Sequence, residues 1–366
     1  MIGHSTALVG VAGRDDGHGA HGGGDAVDKP RPARSLWGVG SYLLMFAAAA
    51  LVTAAIVPFL VPLAQRVGAL DSTRSPPVPR LGGAALALGI AGSLLAVAVV
   101  FTPARHTLLA ATSSIGPVFA GAAIILALGV VDDIRPLSAR FKLAVQLAAV
   151  AVVWALGVRV ELLSLPFGPA NVGPVAGAAV TALWFVGITN AFNLLDGADG
   201  VAAGSAFFSA TAVFMMSVLL GHPAIGLVAS ALAGALLGFL PFNFPPARAF
   251  LGDSGALFTG FLLAGLAVEG STKGPTLVAI AVPLVAFGVP VFDTTITLLR
   301  RLMRGQPVFQ PDQEHVHHGL ARAGLSPRQV AGVLYAVSAA FALAAMTFVN
   351  PGVRSYAVGL VIIGAG

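Results

Sequence analysis

The chain contains no cysteine in 366 residues, which excludes disulfides, thiolate metal sites and redox-active thiols. Charge is scarce too: Asp, Glu, Lys and Arg make up 10% of the residues, against 57% hydrophobic. The net charge is +5 and the basic residues are scattered, so there is no patch suited to nucleic acid. No Gly-x-x-x-x-Gly-Lys-[Ser/Thr] phosphate loop occurs, which argues against an ATP-driven pump. The ligand spacing of an EF-hand calcium loop is also missing. No convincing internal repeat appears, and that disfavours an inverted-repeat transporter.

What is present is apolar. Mean hydropathy is +0.90, and apolar runs fall at roughly 36–62, 82–101, 115–131, 143–159, 174–191, 201–220, 223–240, 254–270, 275–299, 329–349 and 353–366. Runs of this length predict membrane-spanning helices. The expected fold is therefore all-α, a polytopic bundle of about 10–11 transmembrane helices in the lipid bilayer. Residues 1–35 lack apolar periodicity and read as a disordered tail. The membrane domain then covers 36–366.

The connectors alternate between a motif-bearing set (63–81, 132–142, 192–200, 241–253 and 300–328) and a plain set (102–114, 160–173, 221–222, 271–274 and 350–352). The motif-bearing set and its flanks hold twelve Lys and Arg residues, the plain set four, and the tail four. The excess of positive charge places the motif face in the cytoplasm and the N-terminus outside.

Six of the fifteen acids sit in four patches at the ends of apolar runs: Asp132-Asp133, Asp196 with Asp199, Asp253, and Asp293. A carboxylate beside hydrocarbon costs several kcal/mol unless it is paired, hydrated or bound to a cation. Adjacent acids such as Asp132 and Asp133 can share a divalent ion, or one can act as a base; a solvated helix end salted by Arg135 and Arg140 is the plainer reading. Asn190 to Gly200 interleaves amides and carboxylates with Gly197 and Gly200, suited to a sugar, a base edge or hydrated Mg²⁺. In Phe250-Leu251-Gly252-Asp253-Ser254-Gly255 a carboxylate opens a span, where free helix N–H groups suit a phosphate; a simple N-cap is the alternative. His315-Val316-His317-His318, with Asp312 upstream, favours anion recognition over a zinc site because oxygen ligands dominate elsewhere.

In this order the motifs resemble the polyprenyl-phosphate N-acetylhexosamine-1-phosphate transferases. The likeness runs over roughly 36–349. It is carried by Pro77-Val78-Pro79-Arg80-Leu81-Gly82-Gly83, Asp132-Asp133 with Leu137, Lys142 and Gln146, Asn193 to Gly200, Asn243-Phe244, Leu251 to Gly255, Pro290 to Thr294, and Asp312 to Ser326.

The resemblance implies transfer of a sugar-1-phosphate from a UDP-N-acetylhexosamine to a polyprenyl phosphate, with release of UMP. It implies Mg²⁺ (or Mn²⁺ as a substitute) and a plasma-membrane location with the site on the cytoplasmic face. Asp253 is implied as the principal metal ligand, with Asp132 and Asp133 acting on metal or nucleophile. Asn193, Asp196, Asp199 and Asn243 would line the nucleotide-sugar pocket. Arg80, Lys142, His315, His317 and His318 would meet the phosphates. The His-x-His-His form resembles the UDP-GlcNAc branch, whereas the UDP-MurNAc-pentapeptide branch usually shows three consecutive histidines. The connector Asp71 to Pro76 is shorter than usual and lacks an Arg-Lys-x-His element, and Pro136 stands where many members have a third acid. Gly- and Ala-rich helix faces would permit a homodimer. A cation-coupled transporter is the reading from a different class, but it should hold its acids near mid-span rather than at helix ends.

Overall fold

The computed structural model describes residues 36–349, apart from 161, 166–167, 172, 272–277 and 306–314. The chain divides into Met1–Leu36 and Trp37–Gly366, and the helical bundle belongs to the second unit. The tail 1–35, the run at 353–366 and Asp312 lie outside the described residues.

Thirteen α-helices and two short hairpins are described. The helices are α1 (Leu36–Val67), α2 (Gly82–Val100), α3 (Thr102–Ala110), α4 (Thr112–Ile134), α5 (Ala139–Ala155), α6 (Gly173–Leu195) and α7 (Val201–Leu220). They continue as α8 (Pro223–Asn243), α9 (Gly252–Ser271), α10 (Val278–Ala286), α11 (Gly288–Met303), α12 (Val316–Arg322) and α13 (Pro327–Val349). The strands are antiparallel pairs, β1 (Leu70–Asp71) with β2 (Val78–Pro79) and β3 (Leu162–Leu165) with β4 (Gly168–Asn171).

Seven of these helices are long and apolar enough to cross a membrane: α1, α2, α4, α6, α7, α8 and α13. The chain is a multi-pass helical membrane protein. The runs at 143–159 and 254–270 are α5 and the buried α9. Two expectations change. The plain connector 102–114 is helical, being α3 and the start of α4. The run 275–299 is not one rod; it breaks at Phe287 into α10 and α11. On α11, Asp293, Thr297 and Arg301 recur every four residues and are buried, while Phe292, Leu299 and Met303 are exposed. A helix with a polar buried stripe and an apolar outer face follows its partner rather than the hydropathy average.

Small residues set the packing at the centre. Gly234 and Gly238 of α8 lie against the Phe46 and Ala50 carbonyls of α1, where any side chain would collide. Lipid offers no hydrophobic drive between helices, so such close backbone approach supplies the attraction. Gly83 of α2 and Gly129 of α4 meet the backbone at Ser254 in the same way. They clamp the start of α9 from both sides. The segment after β2 completes the clamp: Gly82 N–H donates to the Phe250 carbonyl at 3.1 Å and Gly83 N–H to Leu251 at 3.1 Å.

Candidate active site

The two adjacent acids at the end of α4 point to different partners. Asp133 is 5% exposed. Its Oδ1 accepts the Asp253 N–H at 2.8 Å and its Oδ2 accepts the Ser254 N–H at 3.1 Å. A negative group at a helix N-terminus satisfies orphan donors and meets the positive end of the dipole. Asp133 therefore caps α9 from another helix. The amides that the sequence offered to a phosphate are already taken by this carboxylate. Gly252 makes the contact possible: its φ is +71°, and a Cβ there would stand 2.7 Å from both Asp133 oxygens.

Asp133→Ala should lower stability by about 2–3 kcal/mol, since two charge-assisted hydrogen bonds vanish and two amides lose their acceptor. Thermal unfolding in detergent checks this, and an unchanged melting temperature would remove the capping role.

Asp132 turns toward Leu137 and Lys142 instead. Its Oδ1 accepts the Leu137 N–H at 2.6 Å, which closes the turn before α5. Its Oδ2 is 2.9 Å from Lys142 Nζ. The same ammonium lies 2.7 Å from Asp253 Oδ2, and Asp253 Oδ1 accepts from Asn193 Nδ2 at 3.1 Å. Three helices and one cation thus meet at Asp253. One turn from Lys142 and from Asn193, Gln146 and Asn190 join α5 to α6, with Asn190 Nδ2 donating to Gln146 Oε1 at 2.7 Å. That amide pair fixes the two side chains that hold Asp253.

Beside Asp253 opens a polar cavity of about 180 Å³. Asp253, Asp196 and Asp199 line it together with Arg74 and Arg80. Loss of hydration, reinforced by the charges of Asp253 and Asp133, pushes the Asp196 carboxyl well above the usual carboxylate range. Asp199 is committed elsewhere: it pairs with Arg74 at 2.8 Å and accepts the Ala247 N–H at 3.0 Å. Arg80 reaches Asp71 at 3.3 Å. Although burial acts the other way, hydrogen bonds from Thr73 and the Arg80 charge hold Asp71 below its ordinary value. Arg74 also lies over the Phe250 ring, 5.5 Å from its centroid.

Arg74, Thr73, Asp71 and Phe250 line the cavity but do not stand out in the sequence as site residues. The signal is present there as a lone basic residue in a polar Ser/Thr/Pro string. It becomes legible only when the β1–β2 hairpin folds over the acids. The short connector therefore does present a cation to the site.

The other expected site residues fall differently. Asn243 is 1% exposed and does not line the cavity; its Nδ2 donates to the Ala249 carbonyl at 3.0 Å and holds the 244–250 loop closed. His315, His317 and His318 do not line it either, although His317 abuts Gly197, which does. Burial and the neighbouring histidines push His317 down to about 4, so it is neutral at pH 7.

Among the described residues no three His, Asp or Glu side chains stand in an arrangement that holds a metal by themselves. The donor set nevertheless fits a hard divalent cation. Asp132 and Asp253 both present carboxylate oxygen, and Mg²⁺ ordinarily takes one or two carboxylates and completes its shell with water and substrate phosphates.

The chain matches the family model described as glycosyl transferase family 4 over residues 115–271. It is 35% identical over 311 residues to the Bacillus subtilis protein named "Probable undecaprenyl-phosphate N-acetylglucosaminyl 1-phosphate transferase", covering 83% of this chain and 84% of that one. It is 33% identical over 342 residues to decaprenyl-phosphate N-acetylglucosaminephosphotransferase of Mycobacterium tuberculosis, covering 82% of each. The chain belongs to the polyprenyl-phosphate N-acetylhexosamine-1-phosphate transferases.

As a member of this family it is a phospho-sugar transferase. The matched stretch 115–271 holds Asp132, Asp133, Lys142, Asn193, Asp196, Asp199 and Asp253, while Arg80 and the His motif lie outside it. Phospho-N-acetylmuramoyl-pentapeptide-transferase of Staphylococcus aureus is a more distant relative, 28% identical over 306 residues, 79% of this chain and 93% of that one.

Proposed function

We propose that the protein transfers GlcNAc-1-phosphate from UDP-GlcNAc to a polyprenyl phosphate, releasing UMP and using Mg²⁺. The observation that carries this reading is Asp253, which lines a cavity together with Arg74 and Arg80 and is joined behind that lining to Asp132 through the Lys142 ammonium. Both substrates are anions, so their union needs fixed positive charge and a metal-binding carboxylate at the point of contact. The names of the two N-acetylglucosaminyl relatives support the sugar and the lipid.

In this reading an oxygen of the lipid phosphate attacks the sugar-bearing phosphorus of the donor. The bond from that phosphorus to the bridging oxygen breaks, and UMP leaves with the electron pair. A phosphate monoester is largely ionised at neutral pH, its second pKa being about 6, so the attacking oxygen needs no base. Asp132, with one oxygen on Leu137 and the other on Lys142, then serves to hold the Lys142 ammonium in place. Lys142, Arg74 and Arg80 neutralise the phosphates as they approach. Asp253, with Asp132 beside it, would hold the metal, which supplies Lewis-acid stabilisation of the phosphoryl oxygens when bound. Asp196, with its raised tendency to keep a proton, can donate a hydrogen bond to a sugar or phosphate oxygen.

The twelve basic residues on the motif connectors support a cytoplasmic site in the plasma membrane. There a nucleotide sugar arrives from water while the isoprenoid stays in hydrocarbon. UDP-MurNAc-pentapeptide is the second donor to test, because a relative named phospho-N-acetylmuramoyl-pentapeptide-transferase aligns over 79% of the chain.

UMP release by purified protein, assayed with polyprenyl phosphate, Mg²⁺ and a panel of UDP-sugars, decides between them. Release that requires lipid and metal, fastest with UDP-GlcNAc, is expected. Turnover confined to UDP-MurNAc-pentapeptide would transfer the chain to the other branch, and silence with every donor from folded protein would end the reading.

A further inference from the structure

Asp293, on α11, has no part in the proposed transfer step, yet it is 3% exposed and fully engaged. Its Oδ1 accepts the Val316 N–H at 2.8 Å. Its Oδ2 lies 2.9 Å from His315 Nδ1. A carboxylate can only accept, so this contact requires the proton to sit on His315 Nδ1. Of the two neutral tautomers, only the one with Nε2 as acceptor is compatible with this contact, so the acid behind the ring sets the tautomer.

The effect reaches the cavity through two further contacts. The ring of His315 is parallel to that of His317, with centroids 5.7 Å apart and planes 4° from each other. His317 is 4% exposed, and neither of its ring nitrogens has a hydrogen-bond partner among the described residues. It stands against Gly197, where a Cβ would be 3.1 Å from His317 Cε1 and Nε2. Gly197 lines the cavity beside Asp196.

We propose that Asp293 is a positioning residue of the transferase: it fixes the tautomer and orientation of His315 and, by anchoring the start of α12, seats the His317 imidazole at the Gly197 edge of the cavity. This role rests on the proposed transfer of GlcNAc-1-phosphate. A carboxylate that holds the second ring nitrogen of a metal-bound histidine acts in the same manner, and its loss typically costs about 10- to 100-fold.

Asp293→Asn separates positioning from mere capping. The asparagine Oδ1 still accepts the Val316 N–H. Its amide can meet His315 only by donating, which demands a bare Nδ1 and inverts the tautomer. The variant should melt close to wild type. Its kcat should fall by about 10- to 100-fold, with KM for the UDP-sugar and the lipid within about twofold. Combined with His315→Gln, the loss should not exceed the larger single loss, because one route has been cut twice. Wild-type kcat in Asp293→Asn, or losses that multiply in the double variant, would overturn the proposal.

A second measurement needs neither a folded variant at 293 nor a substrate. In ¹⁵N-histidine-labelled wild-type protein, with the His315 signals identified by their absence in His315→Gln, Nδ1 should carry a proton. A bare Nδ1 with the proton on Nε2 would sink the proposal. Since this readout is independent of UMP release, failure of the donor assay and failure of the positioning role can be told apart.

Discussion

Asp253→Asn should cut UMP release by about 10³-fold or more while the protein still inserts, purifies and melts normally. Asparagine has nearly the same shape, and its Oδ1 can still accept from Asn193 or Lys142, so the packing around α9 survives. What disappears is the charge. Among the described residues, Asp253 is the one acid that touches Lys142 at 2.7 Å, Asn193 at 3.1 Å and the cavity itself. Its cap, Asp133, is untouched by the change, so loss of activity would not reflect an unwound helix. A magnesium titration of the variant provides the check. Normal turnover at ordinary Mg²⁺ would remove Asp253 from the metal role.

Lys142→Met should reduce turnover by about 10²- to 10³-fold, because one ammonium serves two carboxylates and, in the proposed reaction, the incoming phosphates. Methionine matches the stem of lysine and fills the same space without charge. Asp132 and Asp253, each within 3 Å of Lys142 Nζ, are then left facing each other without their counterion. Stability should fall by about 1–3 kcal/mol. That is less than for a fully buried pair, since Lys142 and Asp253 keep 24% and 28% side-chain exposure. Lys142→Arg should not rescue activity: a planar guanidinium cannot place a single point of charge between two carboxylates. Comparing kcat and melting temperature for the Met and Arg variants tests both halves. Full activity in the arginine variant would mean that any cation suffices there.

Much of this protein is legible before folding. Apolar run length alone locates the long helices, because the bilayer fixes how many residues a span requires. The placement of acids at the ends of those runs singles out Asp132, Asp133, Asp196, Asp199 and Asp253, and Asp293 stands out inside the run 275–299, since a carboxylate beside hydrocarbon is costly unless engaged. Asp132, Asp133, Asp199, Asp253 and Asp293 each meet a hydrogen-bond or ion-pair partner, and Asp196 lines the cavity.

What each acid is engaged with is not legible. Asp132 and Asp133 are neighbours with identical side chains, and nothing in their order says that one holds Lys142 while the other caps α9. The break that turns 275–299 into α10 and α11 is hidden as well, because average hydropathy does not register a polar stripe recurring every fourth residue. The resemblance points to Asn243 for the nucleotide-sugar pocket, whereas its amide braces its own loop; Arg74 is not singled out in the sequence, yet it lines the cavity.

The reason lies in distance along the chain. Lys142 and Asp253 are 111 residues apart, Asp133 and Ser254 are 121, and Arg74 and Asp199 are 125. Sequence patterns report local periodicity and the cost of placing a side chain in a medium, so they determined the spans and the set of acids. Partner choice depends on which helix ends close packing brings together at Gly83, Gly129, Gly234 and Gly238. Only the tertiary structure decided that, because a hydrogen bond is formed or lost over less than one ångström.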